Sequence, residues 1–170
     1  MIFRKAYKFR LYPNKEQQDN LAVQFGHARF VYNHLLNARK EHYKATGKGL
    51  SCNATIKLLP ALKKDDGTKW LGEADSQVLQ QKAKDLDTAY KNFFAGRVKY
   101  PNFKKKHSTQ SIRYPQRFKL DGNLIYLPKI GKVKIKLHRG IEGVMKNATV
   151  SKTKSGKYLG FDNQWNEKLR

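Results

Sequence analysis

The residues best able to do chemistry in this sequence are cations interleaved with flat rings. From 97 to 119 the chain carries Arg97, Lys99, Tyr100, Phe103, Lys104, Lys105, Lys106, Arg113, Tyr114, Arg117, Phe118 and Lys119. Cations neutralise phosphates and release counterions, and rings stack on unpaired bases. The competing reading is a solvated basic linker whose rings belong to the core. Whole-chain charge favours binding: 36 Lys+Arg face 13 Asp+Glu in 170 residues, a formal net charge of +23. Self-repulsion on that scale burdens a globular protein, and a polyanionic partner relieves it.

Two further groups point the same way. Ser76, Gln77, Gln80, Gln81 and Lys84 gather at the start of an expected helix. A glutamine amide donates and accepts at once, which suits an adenine edge, and helix N-termini are what usually enter a groove. A polar, solvent-facing helix end accounts for the same residues. Lys132, Lys134 and Lys136 alternate along a strand and share one face. That pattern fits a phosphate-binding face and equally an edge strand guarded by lysines against aggregation.

Catalytic arrangements are harder to find. His27 and His34 lie seven apart on an expected helix, with no further ligand at metal-site spacing, so a structural role is favoured. His42, His107 and His138 add no ligand set. After Leu120 the acids are Asp121, Glu142, Asp162 and Glu167, too sparse for the convergent carboxylates of a two-metal nuclease. The single cysteine, Cys52, excludes an internal disulfide and a cysteine-rich zinc site within these residues. No catalytic residue, metal or cofactor is expected. With no run of about 18 apolar residues and no secretory signal, the sequence reads as intracellular and not membrane-associated.

The elements that must position these groups follow from periodicity. Residues 3–12 alternate, with Phe3, Lys5, Tyr7, Phe9 and Leu11 on one face, Lys5 the one misfit, and Arg4, Lys8 and Arg10 on the other, as in a half-buried strand. Pro13 ends it and Asn14 caps a helix over 14–45, whose apolar stripe is Leu21, Phe25, Ala28, Tyr32, Leu35 and Leu36. A short helix is expected over 53–64, kinked or split at Pro60. Asp75 or Ser76 caps another helix to about Ala95, with Leu79, Ala83, Leu86, Tyr90 and Phe93 inward. After Tyr100 the period becomes that of strands, with hairpin turns at Asp121-Gly122-Asn123 and Ser155-Gly156. A lone first strand must pair with the later strands. The fold class is therefore α+β, with the helical part inserted into a β-barrel.

These residues also carry a family resemblance. The series is Lys8-Phe9-Arg10-Leu11-Tyr12-Pro13 with Glu16-Gln17, then Ala28-Arg29-Phe30-Val31-Tyr32-Asn33, then Ser76-Gln77-Val78-Leu79-Gln80-Gln81 with Asp85-Leu86, Tyr90 and Asn92-Phe93-Phe94. It continues with Tyr100-Pro101-Asn102-Phe103-Lys104, Arg113-Tyr114-Pro115-Gln116 and Leu127-Pro128-Lys129-Ile130-Gly131. In this order they resemble the N-terminal half of TnpB (OrfB), a transposon-encoded RNA-guided DNA endonuclease.

The resemblance implies an oligonucleotide-binding-like barrel, the wedge domain, over 1–12 and 102–161. A helical recognition domain would span 13–101, inserted after the first strand, and 162–170 would be a polar tail. It implies a guide RNA from the transposon end and duplex DNA as partners. It maps motif reading to Ser51, Cys52, Ser76, Gln77, Gln80 and Tyr114. Cys52 departs from the aromatic residue of some relatives, which leaves open a different motif. Arg4, Lys8, Arg10, Lys84, Lys104, Lys105, Lys106, Arg113, Arg117, Lys132, Lys134 and Lys136 are the expected RNA and phosphate contacts.

The RuvC-like acids and zinc-binding cysteines of the family are not among these residues. The expectation is a truncation, a frameshift remnant or one half of a split protein, with no nuclease activity of its own, in a prokaryotic cytoplasm at the nucleoid. Whether it acts beside a separate RuvC-like nuclease chain, as a DNA-binding regulator, or is a non-functional remnant stays open. A stand-alone helix-turn-helix transcriptional regulator that needs no RNA is the alternative, and an enzyme in its own right is the third reading.

Overall fold

The computed structural model describes residues 2–137 and 144–167, with the side chains of 2–5, 144 and 162–167 outside that description. The chain divides into two compact units, one of residues 1–25 with 107–170 and one of residues 26–106. The expected boundaries lay at 12/13 and 101/102. The first turns of the long helix therefore go with the strands, and the chain returns to them only after Lys106.

Among the described residues the first unit holds seven antiparallel strands: β1 Ile2–Tyr12, β2 Gln110–Tyr114, β3 Lys119–Asp121, β4 Leu124–Leu127, β5 Gly131–Lys136, β6 Val144–Lys152 and β7 Tyr158–Glu167. Their order is β2-β6-β7-β1-β5-β4-β3. The first strand does pair with the later set, lying between β7 and β5. Its alternation is the one periodicity predicts, with Tyr7, Phe9 and Leu11 buried. Phe9 faces Gly160 across the register, and a Cβ at Gly160 would run into the Phe9 ring. The glycine is what lets that ring lie flat over β7.

The sheet is curled. β2 and β4 stand five strand positions apart, about 24 Å in a flat sheet at about 4.8 Å per strand. Yet the Tyr114 hydroxyl on β2 donates to the Pro128 carbonyl just after β4 at 3.2 Å. Curling encloses Ile112, Tyr114, Ile125, Leu127, Val133 and Val150, all at most 1% exposed. Hairpin turns fall where expected, with Gly122 at φ 58° and Gly156 at φ 89°, a left-handed backbone that glycine adopts without a Cβ penalty.

The sequence reading missed β2, and it took 162–167 for a tail. Their backbone instead extends β7 along β1, with Ile2 opposite Glu167.

Between β1 and β2 come α1 Lys15–Thr46, α2 Cys52–Lys64, a 3-10 turn Lys69–Glu73 and α3 Ser76–Phe94. A reciprocal cap starts α1. The Asn14 side chain accepts from the Gln17 N–H at 2.8 Å, and the Gln17 side chain accepts from the Asn14 N–H at 3.0 Å, satisfying two donors that every helix start leaves open. Pro60 neither splits nor ends α2. In the second unit Val31, Tyr32, Leu35, Leu36, Leu59, Leu71, Leu79, Ala83, Leu86 and Tyr90 form one apolar cluster.

Candidate nucleic-acid interface

In the sheet unit the register gathers cations onto one face. Arg10 stands opposite Lys136 and Tyr12 opposite Lys134, while Tyr126 stands opposite Lys132. Directly opposed residues share a face, so Arg10, Tyr12, Tyr126 and the three lysines of β5 look the same way. Val133 and Ile135 between them are buried, and all three lysines are exposed. β5 is an interior strand, between β1 and β4, so edge protection does not explain its lysines. Lys8 lies over the Phe161 ring at 5.5 Å and Arg10 over Tyr12 at 5.3 Å. Beside them is a cleft of ≈ 310 Å³, lined by Arg10, Tyr12, Gln18, Lys152 and Tyr158 among others. The buried Nε of Arg10 has no hydrogen-bond partner among the described residues. Tyr12, Tyr126 and Lys152 were missed from sequence, although Tyr12 continues the outward alternation of Lys8 and Arg10.

Arg117 is exposed in a left-handed backbone at φ 67°. Arg113 is half-buried on β2. The side chain of Arg4 lies outside the described residues, as do His138 and Glu142. Tyr114 is not the exposed ring expected: it is fully buried, and its hydroxyl is spent on Pro128. The surrounding Arg113, Pro115 and Gln116 disguise a core strand as a linker.

In the helical unit Asp75 caps α3, its carboxylate accepting from the Gln77 N–H at 2.9 Å. Ser76, Gln80 and Lys84 are exposed, and their spacing of four sets them in one line along the helix. Gln77 and Gln81 are instead buried, each 9% exposed. The Gln77 amide is closed in on both atoms without a hydrogen-bond partner among the described residues.

Ser51 is exposed, and its hydroxyl accepts from the Ala54 N–H at 3.2 Å as the cap of α2. Cys52 directs its thiol at the Ala83 carbonyl, 3.8 Å away. The start of α2 therefore lies against α3 less than a turn beyond Gln80. Within this unit the structure brings together Ser51, Cys52 and the α3 segment that carries Gln80.

Lys104, Lys105 and Lys106 are exposed. Lys104 is held through its backbone by Asn33, and its ammonium lies 5.0 Å from the Tyr32 ring.

His27 and His34 have structural surroundings. His27 sits 3.5 Å from Glu73 and packs on Trp70, and His34 stacks on Phe30. Among the described residues no helix is long and apolar enough to cross a membrane.

Residues 1–48 match the family described as the helix-turn-helix domain of OrfB proteins of IS605 type. The structure builds that segment as a strand and one unbroken helix. A protein of Escherichia coli described as the RNA-guided DNA endonuclease InsQ is 37% identical over 162 residues, 94% of this chain and 40% of that protein. A protein of Streptomyces pristinaespiralis described as an RNA-guided DNA endonuclease is 38% identical over 112 residues, 28% of its length. Virulence protein VsdF of Salmonella dublin is 38% identical over 112 residues, 94% of its length. The chain thus spans less than half of the two endonuclease relatives.

Proposed function

The chain belongs to the TnpB/OrfB family, matching its N-terminal part, and from that premise we propose that it binds guide RNA and recognises a short transposon-adjacent motif in duplex DNA. Here these residues position nucleic acid and cutting is not their task. The observation that carries the reading is Arg10 opposite Lys136 on a face that also holds Lys132 and Lys134. Like charges placed directly opposite destabilise a sheet. A phosphate backbone turns that cost into affinity. The rings among the cations, Tyr12 at 48% and Tyr126 at 42% exposed, add stacking surface. Ser76 and Gln80 on α3 are the proposed motif readers, with Ser51 and Cys52 beside them and Lys84, on the same line, as a phosphate contact. Recognition of the RNA by the sheet would rest on shape and phosphates, because the deep groove of an A-form duplex hides its base edges.

The stand-alone helix-turn-helix regulator is the second reading. The region that would supply two helices and a turn forms a strand and a single helix, which favours the first. Filter binding of transposon-end RNA across a salt series tests it. If about six phosphates are neutralised, log affinity falls against log salt with a slope of roughly −4 to −5. A slope near zero overturns the basic-face reading. Tight, sequence-selective duplex binding by RNase-treated protein would replace it with the regulator.

A further inference from the structure

The C-terminal ends of α1 and α3 enclose a groove of ≈ 520 Å³ that the motif readers and the sheet do not use. Its walls are aromatic and its rim is cationic: Tyr43, Phe94 and Tyr100 with Arg39, Lys40 and Lys44. No acidic residue lines it among the described residues. Phe94 is 79% exposed and Tyr43 63%, an unusual placement for large rings on a polar helix surface.

The floor is fixed in advance. α3 ends at Phe94, and Gly96 at φ 74° turns the chain back. That return sets Tyr100 edge-on against Tyr90 and Phe93, with centroids 5.5 and 5.2 Å apart. The Tyr90 and Tyr100 hydroxyls share a hydrogen bond of 2.8 Å. Arg39 is spoken for, bonded to Asp87 at 3.1 Å and lying 4.9 Å from the Tyr90 ring. Lys40 lies over Phe103 at 4.5 Å and over Tyr100 at 5.4 Å. Lys44 is loosely paired with Glu41 at the surface, 3.6 Å away, a contact that costs little to exchange.

A ligand for this groove must be flat, with apolar faces, and must carry negative charge at one end. We infer that the groove binds one unpaired nucleotide of a single strand, its base on the exposed face of Phe94 and its phosphate at Lys40 and Lys44. This rests on the nucleic-acid reading above and adds a stacking site to it. Stacking on a ring is tolerant of base identity, so the site clamps a strand without reading it. The pre-set rings lower the ordering cost that binding otherwise carries.

The test uses the full chain and a short single-stranded oligouridine bearing 5-iodouridine, which crosslinks to rings it stacks on. The expected crosslinks fall on Tyr43, Phe94 or Tyr100. Phe94→Ala, at an exposed position, keeps its circular dichroism spectrum, loses roughly five- to a hundredfold in oligouridine affinity and retains the salt slope. Lys44→Ala reduces the slope. If Phe94→Ala and Tyr43→Ala both bind oligouridine as the parent does, with crosslinks elsewhere, the groove is not a base site. It is then a socket for something else, such as an aromatic anchor of a protein. A steep parental salt slope in that case leaves the nucleic-acid reading standing. A parent chain that binds neither oligouridine nor transposon-end RNA overturns both.

Discussion

Asn33 holds Lys104 by its main chain. Its amide oxygen accepts from the Lys104 N–H at 2.7 Å, and its amide nitrogen donates to the Lys104 carbonyl at 3.0 Å. A side chain on α1 thus acts as a strand partner to the segment expected to be a free linker. The grip does not involve the lysine side chain. Replacing Lys104, Lys105 and Lys106 with Ala should leave the circular dichroism spectrum unchanged and weaken RNA binding. The salt slope should fall by about 2 if all three ammonium groups meet phosphates. A variant that keeps affinity and slope would show these lysines to be bystanders. Asn33→Ala, in contrast, should lower stability by about 1–3 kcal/mol in urea unfolding.

Tyr114 answers to stability and not to affinity. Tyr114→Phe removes the hydrogen bond to Pro128 and should cost about 0.5–1.5 kcal/mol. Tyr114→Ala opens a cavity in the curled sheet and should cost about 3–5 kcal/mol. Urea midpoints measure both. A stable Tyr114→Ala that loses RNA affinity would restore the ring to the interface.

Gln80 is exposed on the line with Ser76 and Lys84, and Gln77 is not. Gln80→Ala should relax preference for the DNA motif by about 1–3 kcal/mol, the worth of a two-pronged base contact. RNA affinity should stay near the parent value. Competition gel-shifts with motif and scrambled duplexes measure the difference. Equal loss on every sequence, or none, removes Gln80 from the readers.

Asp87 predicts how acid acts on the helical unit. Burial works against its ionisation, but hydrogen bonds from Lys91 and Arg39 prevail and hold its carboxyl below the usual range. A folded-state value below the unfolded one gives stability that is complete above the ordinary aspartate value of about 3.9. That contribution is lost as pH falls through the folded value. Asp87→Asn should therefore be less stable than the parent at neutral pH, and the gap should narrow below about pH 4. Urea unfolding from neutral to acid pH follows it. A gap constant through that range would mean Asp87 contributes nothing by its charge.

What could be read from sequence was whatever one element decides alone. The alternation of Tyr7, Phe9 and Leu11 and the caps at Asn14 and Asp75 depend on neighbours in the chain. So do the glycine turns at Gly122 and Gly156. Burial decided by another element was hidden. Tyr114 sits among polar residues, and only the curl that carries β2 to Pro128 buries it. Gln77 and Gln81 flank the apolar stripe of α3 and read as polar surface. Whether Lys132, Lys134 and Lys136 guard an edge depended on knowing that β1 and β4 flank β5. The aromatic groove joins residues around 43 to residues around 94, and the intervening fifty hold α2, a 3-10 turn and most of α3, so no local pattern announces it.

The long pairing of β1 with β7 also sets a schedule. The strand β1 can meet β5 first, but its longer partner, β7, is the last strand made, with Ile2 opposite Glu167. At roughly 5–20 residues per second of synthesis, β1 waits roughly 8–30 s on the ribosome. The helical unit, all of whose residues precede 107, can be complete in that interval. Until β7 emerges, β1 has only β5 to pair with, along Arg10, Leu11 and Tyr12, and the stretch that holds Tyr7 and Phe9 is a sticky one. Lys8 and Arg10, spaced along that strand, then act as gatekeepers that discourage pairing with other nascent chains. The same two cations serve the newborn chain before any nucleic acid reaches it.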